Sequence, residues 1–124
     1  MAAIKSKDTV PEKIIRSFLH RKGFRFSLHD KSLPGSPDIK LTKYRTVVFE
    51  NGCFWHRHEG CRMAYNPKSR TEFWEKKFRE NVERDARNYR ELEEQGWRVI
   101  VVWECQVKDR SFEQWLPEEI TNNV

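Results

Sequence analysis

The strongest constraint on the fold of this chain is a long helical pattern that leads directly into an apolar strand pattern. Apolar residues recur at helical spacing between Thr71 and Gln95, and Gly96 closes the pattern. The next run, residues 97–103, is nearly all apolar and β-branched, which is typical of a strand covered on both faces. We therefore expect a crossover helix that delivers the chain into a buried strand of a sheet.

The other segments predict short helices and strands around that unit. Asp8 or Thr9 can cap the first helix, and Ser111 can cap the last. In chain order, the predicted elements are a helix at 8–23, strands at 24–28, 38–41 and 46–49, a hairpin connection at 42–45, and a terminal helix from 111 that Pro117 limits.

The resulting order, α-β-β-β-α-β with a terminal helix, predicts an α/β fold with a mixed central sheet flanked by helices. A chain of 124 residues is too short for two cores, so we expect one domain over residues 1–124. Aromatic residues make up 13% of the chain and supply bulky side chains for that core, which argues against disorder.

Basic charge is concentrated in one half of the chain. Residues 1–70 contain 15 Lys and Arg against 6 Asp and Glu, whereas residues 71–124 contain 9 against 13. The basic half suits an anionic partner, and a nucleic acid fits because each Lys or Arg at a phosphate releases counterions. A basic solvated surface without a ligand explains the charge equally well.

The sequence also predicts the compartment. No apolar run approaches the ~20 residues that span a bilayer, and the N-terminus lacks the apolar core of a signal peptide. We therefore expect a cytoplasmic protein with no membrane partner. Three cysteines cannot all pair, and a reducing compartment favours free thiols or a metal site over disulfides.

Acidic residues mark the ends of two predicted strands. Asp38 follows Pro37 at the start of the second strand, and Glu50 closes the third. A carboxylate beside a backbone carbonyl at neighbouring strand ends can form an oxygen site for Mg²⁺. Asp after Pro is also a common turn residue, and for this pair alone that interpretation is the commoner one.

Residues 52–70 have no strand or helix periodicity, so a metal ion could order them. Cys53, His58 and Cys61 are spaced as C-x4-H-x2-C, and Cys105 follows the last strand. Three thiolates and one imidazole suit a closed, tetrahedral structural Zn²⁺ site. Three reduced, buried cysteines and a surface histidine explain the spacing equally well.

The same segment contains a candidate base. His56 is left free once four other donors close a zinc shell, and an imidazole can take a proton from water near neutral pH. His20 and His29 lie in less informative surroundings, and no role is predicted for them.

Several residues could contact a nucleic acid. Phe54, Trp55 and Trp74 are core residues by default, but exposed aromatics in a basic protein can wedge between the base steps of DNA. Lys77 and Asn81 lie one turn apart on the long helix, so the pair could face a groove. The mixed charge of that helix is also typical of a solvated face.

With these residues in place, the sequence resembles the very-short-patch-repair (Vsr) endonucleases, a bacterial family of the PD-(D/E)XK nuclease superfamily. The resemblance follows the order of the chain through residues 1–9, 33–38, 52–56, 71–74, 81–85, 96–99 and 103–105. It implies a restriction-endonuclease-like αβββαβ core with a structural zinc site. It also implies a Mg²⁺-dependent endonuclease that nicks one DNA strand at a thymine mispaired with guanine, in very short patch repair.

The resemblance implies catalytic roles residue by residue. Asp38 and the backbone carbonyl of Glu50 match magnesium ligands, and His56 matches the base for the attacking water. Asp85 matches an acid near that histidine, and Glu12 matches an acid of the first helix that holds metal-bound water. The structural zinc ligands are matched by Cys53, His58, Cys61 and Cys105.

Contacts with DNA are implied in the same way. Phe54, Trp55 and Trp74 match aromatics that enter the duplex, and Lys77 and Asn81 match residues near the mispaired bases. Two further expected contacts, from an N-terminal arm that is shorter than in the family, are Met1 and Ile4. The implied partner is double-stranded DNA with a T:G mismatch, with mismatch-repair proteins as candidate second partners of a monomer in the bacterial nucleoid.

Two positions depart from the family pattern. Asn51 stands where relatives commonly carry Asp or His, and we include it in the catalytic set, although an amide cannot exchange a proton. Glu50 adds a carboxylate that many relatives lack. These departures keep open a Vsr-fold endonuclease with altered, restriction-like or other mismatch specificity. The remaining alternative is a non-catalytic, zinc-stabilised DNA-binding module.

Overall fold

The computed structural model describes residues 8–122, so Met1 and Ile4 lie outside the described residues. In chain order the elements are α1 (Val10–Arg21), β1 (Ser27–Leu28), β2 (Ile39–Leu41), β3 (Thr46–Asn51), α2 (Thr71–Glu94), β4 (Arg98–Trp103), α3 (Glu104–Lys108) and α4 (Phe112–Thr121). None of these helices is long and apolar enough to cross a membrane.

The four strands form one mixed sheet in the order β1-β2-β3-β4. The β1/β2 and β2/β3 pairs are antiparallel, and the β3/β4 pair is parallel, with Val48 opposite Ile100. Helix α2 therefore makes the crossover between the two parallel strands, as its helical pattern predicted. The expected α/β fold, a mixed sheet with helices, is confirmed.

Both faces of the central strand β3 are covered. Val48 belongs to a buried cluster that contains residues of α1, β2, β4 and α4, whereas Val47 and Phe49 belong to a second cluster with Leu92 of α2. Successive strand residues point to opposite faces, so this alternation places α1 and α4 on one side of the sheet and α2 on the other.

Three predicted elements differ from the structure. The first strand is restricted to Ser27–Leu28, because only these two residues pair with β2 while Phe24 and Phe26 pack against the core. Between β2 and β3 the chain forms a 3-10 turn rather than a simple hairpin connection. Val82, expected on the apolar stripe of α2, is 45% exposed, and the α2 residues that pack with the β3 side chains are Tyr89 and Leu92.

Helix α4 continues past Pro117, which the sequence predicted as its limit. A proline inside a helix costs about 3 kcal/mol. Phe112, Leu116 and Ile120 are fully buried on one face of α4, and burying each side chain stabilises by about 1.5–3 kcal/mol, which offsets that cost. The short helix α3, which carries Cys105, was not predicted.

Candidate active site

Asp38 lies where the chain enters β2, immediately after a tight turn. The turn needs Gly35, which adopts φ 77° and lies so close to Asn88 that a Cβ atom would meet its side chain at 3.1 Å. The Oδ2 atom of Asp38 accepts a hydrogen bond from the Glu50 N–H at 2.7 Å. Burial raises the pKa of Asp38 to about 7, and the neighbouring Glu12 carboxylate adds to the increase.

Two more carboxyl groups crowd around Asp38. Glu12 of α1 is only 3% exposed, and Glu50 at the end of β3 is partly buried. Burial raises the pKa of Glu50 to about 8, and the charges of Asp38, Glu12 and Glu104 contribute. Its Oε2 atom is buried without a hydrogen-bond partner among the described residues. Carboxyl groups crowded in this way favour protons or a bound cation.

The backbone of Glu50 faces the same site. Its N–H points to Asp38, and the N–H and C=O of one strand residue point to the same side of the strand. The Glu50 carbonyl therefore lies on the Asp38 side of β3. The structure thus brings together the two groups for which magnesium ligation was predicted.

His56 and Asp85 form a close pair. His56 Nδ1 lies 2.6 Å from Asp85 Oδ2 across the gap between the 52–56 turn and α2, and the two side chains are 24% and 17% exposed. A carboxylate can only accept, so Nδ1 carries a proton and the Nε2 atom of the neutral ring is free to accept one. This is the geometry that a general base requires.

A single cleft of about 1030 Å³ contains both groups of residues. We call it the acidic cleft, after the five carboxyl groups of its lining: Glu12, Asp38, Glu50, Asp85 and Glu104. Its other ionisable lining residues are His29, Lys31, His56, Arg84 and Tyr89. The carboxyl group of Asp38 and the imidazole of His56 thus line one space, at the end of β3. An ion held by the first and a water activated by the second can meet there.

Asn51 and Tyr89 form the floor of this cleft. Asn51 is 4% exposed, and its Nδ2 atom donates to the Tyr89 hydroxyl at 2.8 Å. Burial raises the pKa of Tyr89 to about 12, so the hydroxyl stays protonated. An amide bonded to a phenol cannot take a proton, so Asn51 holds Tyr89 in place rather than acting as a base.

Arg16 and His29, for which the sequence predicted no role, hold the acidic side of the cleft. Arg16 Nη2 donates to Asp8 at 2.6 Å and to Glu12 at 3.0 Å, and it lies 3.1 Å from His29 Nε2. His29 Nδ1 lies 3.8 Å from the Asp38 carboxylate. Asp8, Glu12 and His29 lie close enough together to hold a metal ion, but the Arg16 guanidinium already lies among them. No motif identified these residues, since their contacts join α1 to a turn.

The predicted zinc ligands also converge. The ligand atoms of Cys53, His58, Cys61 and Cys105, which we call the Cys/His cluster, all lie within 4.8 Å of one another. Cys53 Sγ lies 3.6 Å and Cys105 Sγ 3.5 Å from His58 Nδ1. A tetrahedral zinc ion requires S···N edges of about 3.5 Å. The cluster could therefore hold a metal ion of that coordination.

The chemistry of the cluster fits as well. Burial lowers the pKa of His58, which keeps the ring neutral and its Nδ1 available as a ligand. The ring stacks on Trp103 with centroids 4.2 Å apart and planes at 8°. Without a cation, burial raises the pKa of Cys53 to about 12, so its thiolate depends on a positive partner.

The aromatic residues pack on one another beside the cleft. Phe54 contacts Trp55 and Trp74, with ring centroids 5.3 and 5.5 Å apart. We call these three residues, with Tyr65 and Phe78, the aromatic cluster. Phe54 and Trp55 also line the acidic cleft. All three predicted wedge residues are partly buried, so they are neither plain core residues nor freely exposed.

The predicted pair on α2 is divided between two environments. Asn81 lines the cleft, and its Nδ2 atom donates to the Trp55 carbonyl at 3.1 Å. Lys77, one turn earlier, is exposed. Asn81 thus fixes the backbone of the aromatic cluster, whereas the Lys77 ammonium is accessible from solvent.

Comparisons with known proteins identify relatives of this chain. The family model for DNA mismatch endonuclease Vsr matches residues 1–62. Type II nicking enzyme V.NmeAIP of Neisseria meningitidis is 50% identical over 111 residues, which are 90% of this chain and 79% of that protein. DNA mismatch endonuclease Vsr of Escherichia coli is 45% identical over 124 residues, which are 100% of this chain and 78% of that protein.

Among solved structures, the catalytic domain of homing endonuclease I-Bth0305I is similar in fold. It superposes with a TM-score of 0.66 at 18% sequence identity, and the match covers 94% of this chain and 99% of that domain. At this identity the likeness concerns the arrangement of helices and strands alone.

Proposed function

Since the chain belongs to the Vsr family of DNA mismatch endonucleases and is a DNA endonuclease, we propose that it nicks one strand at a thymine-guanine mispair in a Mg²⁺-dependent reaction. The observation that carries this proposal is the acidic cleft, where Asp38 and the His56–Asp85 pair face one space beside partly buried aromatic rings. A carboxylate site, a base and a stacking surface are the three parts that such a reaction needs.

Asp38 and the Glu50 carbonyl are the proposed magnesium ligands. Mg²⁺ prefers oxygen ligands, and the raised pKa values of Asp38 and Glu50 mark a place where positive charge is favourable. When bound there, the ion supplies charge neutralisation at the scissile phosphate and lowers the pKa of water. Arg16 pairs with Glu12 at 3.0 Å and offsets part of the negative charge beside Asp38.

His56 is the proposed general base. Asp85 holds the imidazole by its Nδ1 proton and leaves Nε2 facing the cleft, where it takes a proton from the attacking water. The carboxylate also stabilises the imidazolium that forms. Both side chains are partly exposed, so the proton can return to solvent.

Selection of the mispair is assigned to the aromatic cluster. A mispaired step costs less free energy to unstack than a paired one, so rings that enter the duplex prefer it. Trp74 and Phe78 support Phe54 from the α2 side, and Asn81 fixes the Trp55 backbone. The surface that would meet DNA is therefore held in place before binding.

The Cys/His cluster is the proposed site of a structural zinc ion. Phe54, Trp55 and His56 directly follow Cys53 in the chain and precede Cys61. A closed, four-ligand site supplies order rather than chemistry. Its expected effect is to hold the candidate base and the stacking rings in one arrangement.

A nicking assay tests the proposal. End-labelled duplexes that differ only in one T:G or T:A pair are incubated with the protein, with and without Mg²⁺, and the strands are separated on a denaturing gel. We expect one strand of the T:G duplex to be cut, and only with Mg²⁺. Asp38→Asn should abolish cutting while duplex binding, measured by fluorescence anisotropy, is retained.

Other outcomes identify the alternatives. Equal cutting of the T:A duplex would indicate an endonuclease of the same fold with altered specificity. Binding without any cutting, unchanged in Asp38→Asn, would indicate a non-catalytic DNA-binding module. The monomeric state, the docking of mismatch-repair proteins and the association with the nucleoid stay predictions.

A further inference from the structure

Tyr65 is the most exposed aromatic residue among the large hydrophobic side chains of the described range. Its side chain is 63% exposed, yet its ring is ordered against Phe54, with centroids 4.9 Å apart and planes inclined at 34°. Tyr65 does not line the acidic cleft, whereas Phe54 does. The tyrosine ring therefore extends the aromatic cluster outward, beyond the rim of the cleft.

Arg57 holds the segment that carries Tyr65. Its Nη1 atom donates to the Tyr65 carbonyl at 3.0 Å, and its Nη2 atom donates to the Ala64 carbonyl at 3.1 Å and to Asn66 Oδ1 at 2.7 Å. The guanidinium also lies over the Phe78 ring, 4.0 Å from its centroid. One planar side chain thus ties residues 64–66 to the aromatic cluster.

We propose that Tyr65 is a further DNA-contacting residue, whose ring stacks on a nucleobase flanking the mispair and is positioned by Arg57. The proposal rests on the proposed function, because it places the duplex over the acidic cleft. No role was predicted for either residue from the sequence.

Charge and continuity favour a nucleic acid at this surface. Residues 57–70 contain four Lys and Arg against one Asp or Glu, which suits a phosphate backbone. Phe54 links the Tyr65 ring to the cleft, so a duplex that reaches Asp38 passes over this rim. Every base has a π-face, and stacking on an aromatic side chain accepts any base.

The hydrogen bonds of Arg57 also reduce the conformational entropy that the Tyr65 segment loses when it binds DNA. An exposed tyrosine on a free loop would lose freedom on binding, which reduces affinity. The Arg57 hydrogen bonds and the Phe54 contact fix the tyrosine segment in the free protein. Loss of the ring is expected to weaken binding by about tenfold, within the range measured for single base-stacking contacts.

Equilibrium binding tests the proposal. Fluorescence anisotropy with T:G and T:A duplexes, in buffer without Mg²⁺, is measured for the wild type, Tyr65→Ala, Tyr65→Phe and Tyr65→Leu. The matched control is Leu28→Ala, which removes an exposed apolar side chain from the edge strand β1. Thermal melting of each variant checks the fold.

We expect duplex affinity to fall only in the variants that lack the aromatic ring of Tyr65. Tyr65→Ala and Tyr65→Leu should bind the T:G duplex about tenfold more weakly, while Tyr65→Phe and Leu28→Ala stay within about twofold of the wild type. The slope of log affinity against log salt concentration should not change, because stacking releases no counterions. Wild-type affinity in Tyr65→Ala, equal losses in Tyr65→Phe and Tyr65→Ala, or a reduced salt slope would each overturn the proposal.

Arg57→Lys tests the positioning role. Lysine keeps the charge but cannot donate to three acceptors in one plane, so we expect a loss close to that of Tyr65→Ala. The double variant should then bind no more weakly than Tyr65→Ala alone. Additive losses would show that Arg57 contacts DNA independently and would refute its positioning role.

This experiment separates the two proposals. If the wild type does not bind the duplexes or binds without cutting in the nicking assay, the proposed function fails. If the wild type binds and nicks the T:G duplex but Tyr65→Ala binds equally well, only the inference about Tyr65 fails.

Discussion

The acidic cleft and the Cys/His cluster lie on either side of the turn at residues 52–56, but they are held by different forces. In the cleft, Asp38 and Glu50 lie at the ends of paired strands, and a hydrogen bond from the Glu50 N–H to the Asp38 carboxylate sets their distance. In the cluster, Cys53, His58 and Cys61 lie in turns between β3 and α2, and their side chains lie against one another.

This difference predicts that substitutions affect cutting alone in the acidic cleft, but both cutting and stability in the Cys/His cluster. The cleft contains charges that oppose folding, so substitutions there should impair cutting with little loss of stability. The cluster contains the contacts that order an irregular segment, so substitutions there should impair both. The predictions below test that contrast.

The largest effect is expected from loss of a cluster ligand. Cys105→Ser should lose bound zinc, lower the melting temperature by about 10 °C and abolish nicking, because the segment with His56 loses its order. Zinc is measured with a colorimetric chelator after denaturation, and melting by circular dichroism. Asp38→Asn is the comparison variant, and it should keep its zinc and its melting temperature.

A cluster without metal would give the opposite result. In that case the purified wild type contains no zinc, and a chelator leaves its melting temperature unchanged. Such an outcome would favour the interpretation of three reduced cysteines packed around a histidine.

The second prediction concerns the base. His56→Ala should lower the nicking rate at saturating duplex by about 10²–10⁴-fold, since it removes a general base. Asp85→Asn should lower the rate less than the loss of the ring does, because the imidazole stays but its tautomer is no longer fixed. Single-turnover gel assays measure both. Equal melting temperatures for both variants and the wild type would confirm that the cleft separates function from stability.

A normal rate in His56→Ala would show that another group takes the proton. His29 would then be the candidate, because it also lines the cleft and lies 3.4 Å from Glu12. His29→Ala therefore serves as the matched control, with a smaller expected loss.

The sheet and α2 could be predicted because their signals are local. The β-branched, mostly apolar runs at residues 46–49 and 97–103 each indicate a strand that is covered on both faces. Pro117 was misread because its cost is local but its compensation, the burial of α4 against the sheet, is not. The length of β1 was predicted wrongly for the same reason, because which residues form a strand depends on pairing with the partner strand.

The candidate site likewise contains residues that the sequence could predict and residues that it could not. Asp38, His56 and the cysteines carry recognisable spacings, and the structure brings them together. Arg16 and His29 carry none, because a residue of α1 and a residue of a turn meet only after the sheet has formed. The burial and the raised pKa of the Glu50 side chain could not be predicted from the sequence either, because Glu12, Asp38 and Glu104 come near it only in the folded chain.

The third prediction concerns the side chain of Glu50. Glu50→Gln should raise the melting temperature in Mg²⁺-free buffer by about 4 °C, corresponding to about 1 kcal/mol. It replaces a carboxyl group whose pKa burial raises and whose buried Oε2 atom has no hydrogen-bond partner among the described residues. Added Mg²⁺ should stabilise the variant less than the wild type. Glu94→Gln, at the exposed end of α2, is the control and should change nothing. A lower melting temperature in Glu50→Gln would mean that the carboxylate contributes a stabilising contact.

The smallest effect is expected at Asp30, a carboxyl beside the cleft that has the opposite environment. Hydrogen bonds from Lys40 and Ser32 lower the pKa of Asp30 to about 2. Because the folded pKa lies below the ordinary value of 3.8, the stabilisation is complete above that pH and is lost as the pH falls toward 2. Asp30→Asn should therefore lower the urea midpoint slightly at pH 7, with a difference from the wild type that shrinks below pH 4.

Lys40→Met is the matched variant for this last prediction. It removes the other partner of the 2.6 Å ion pair, so its deficit at pH 7 should resemble that of Asp30→Asn, and the double variant should add little. Solvent screens the pair, which keeps the effect small. A difference in urea midpoint that grows as the pH falls would show that Asp30 behaves like Glu50. The contrast between the ion-paired Asp30 outside the cleft and the crowded Glu50 inside it would then be wrong.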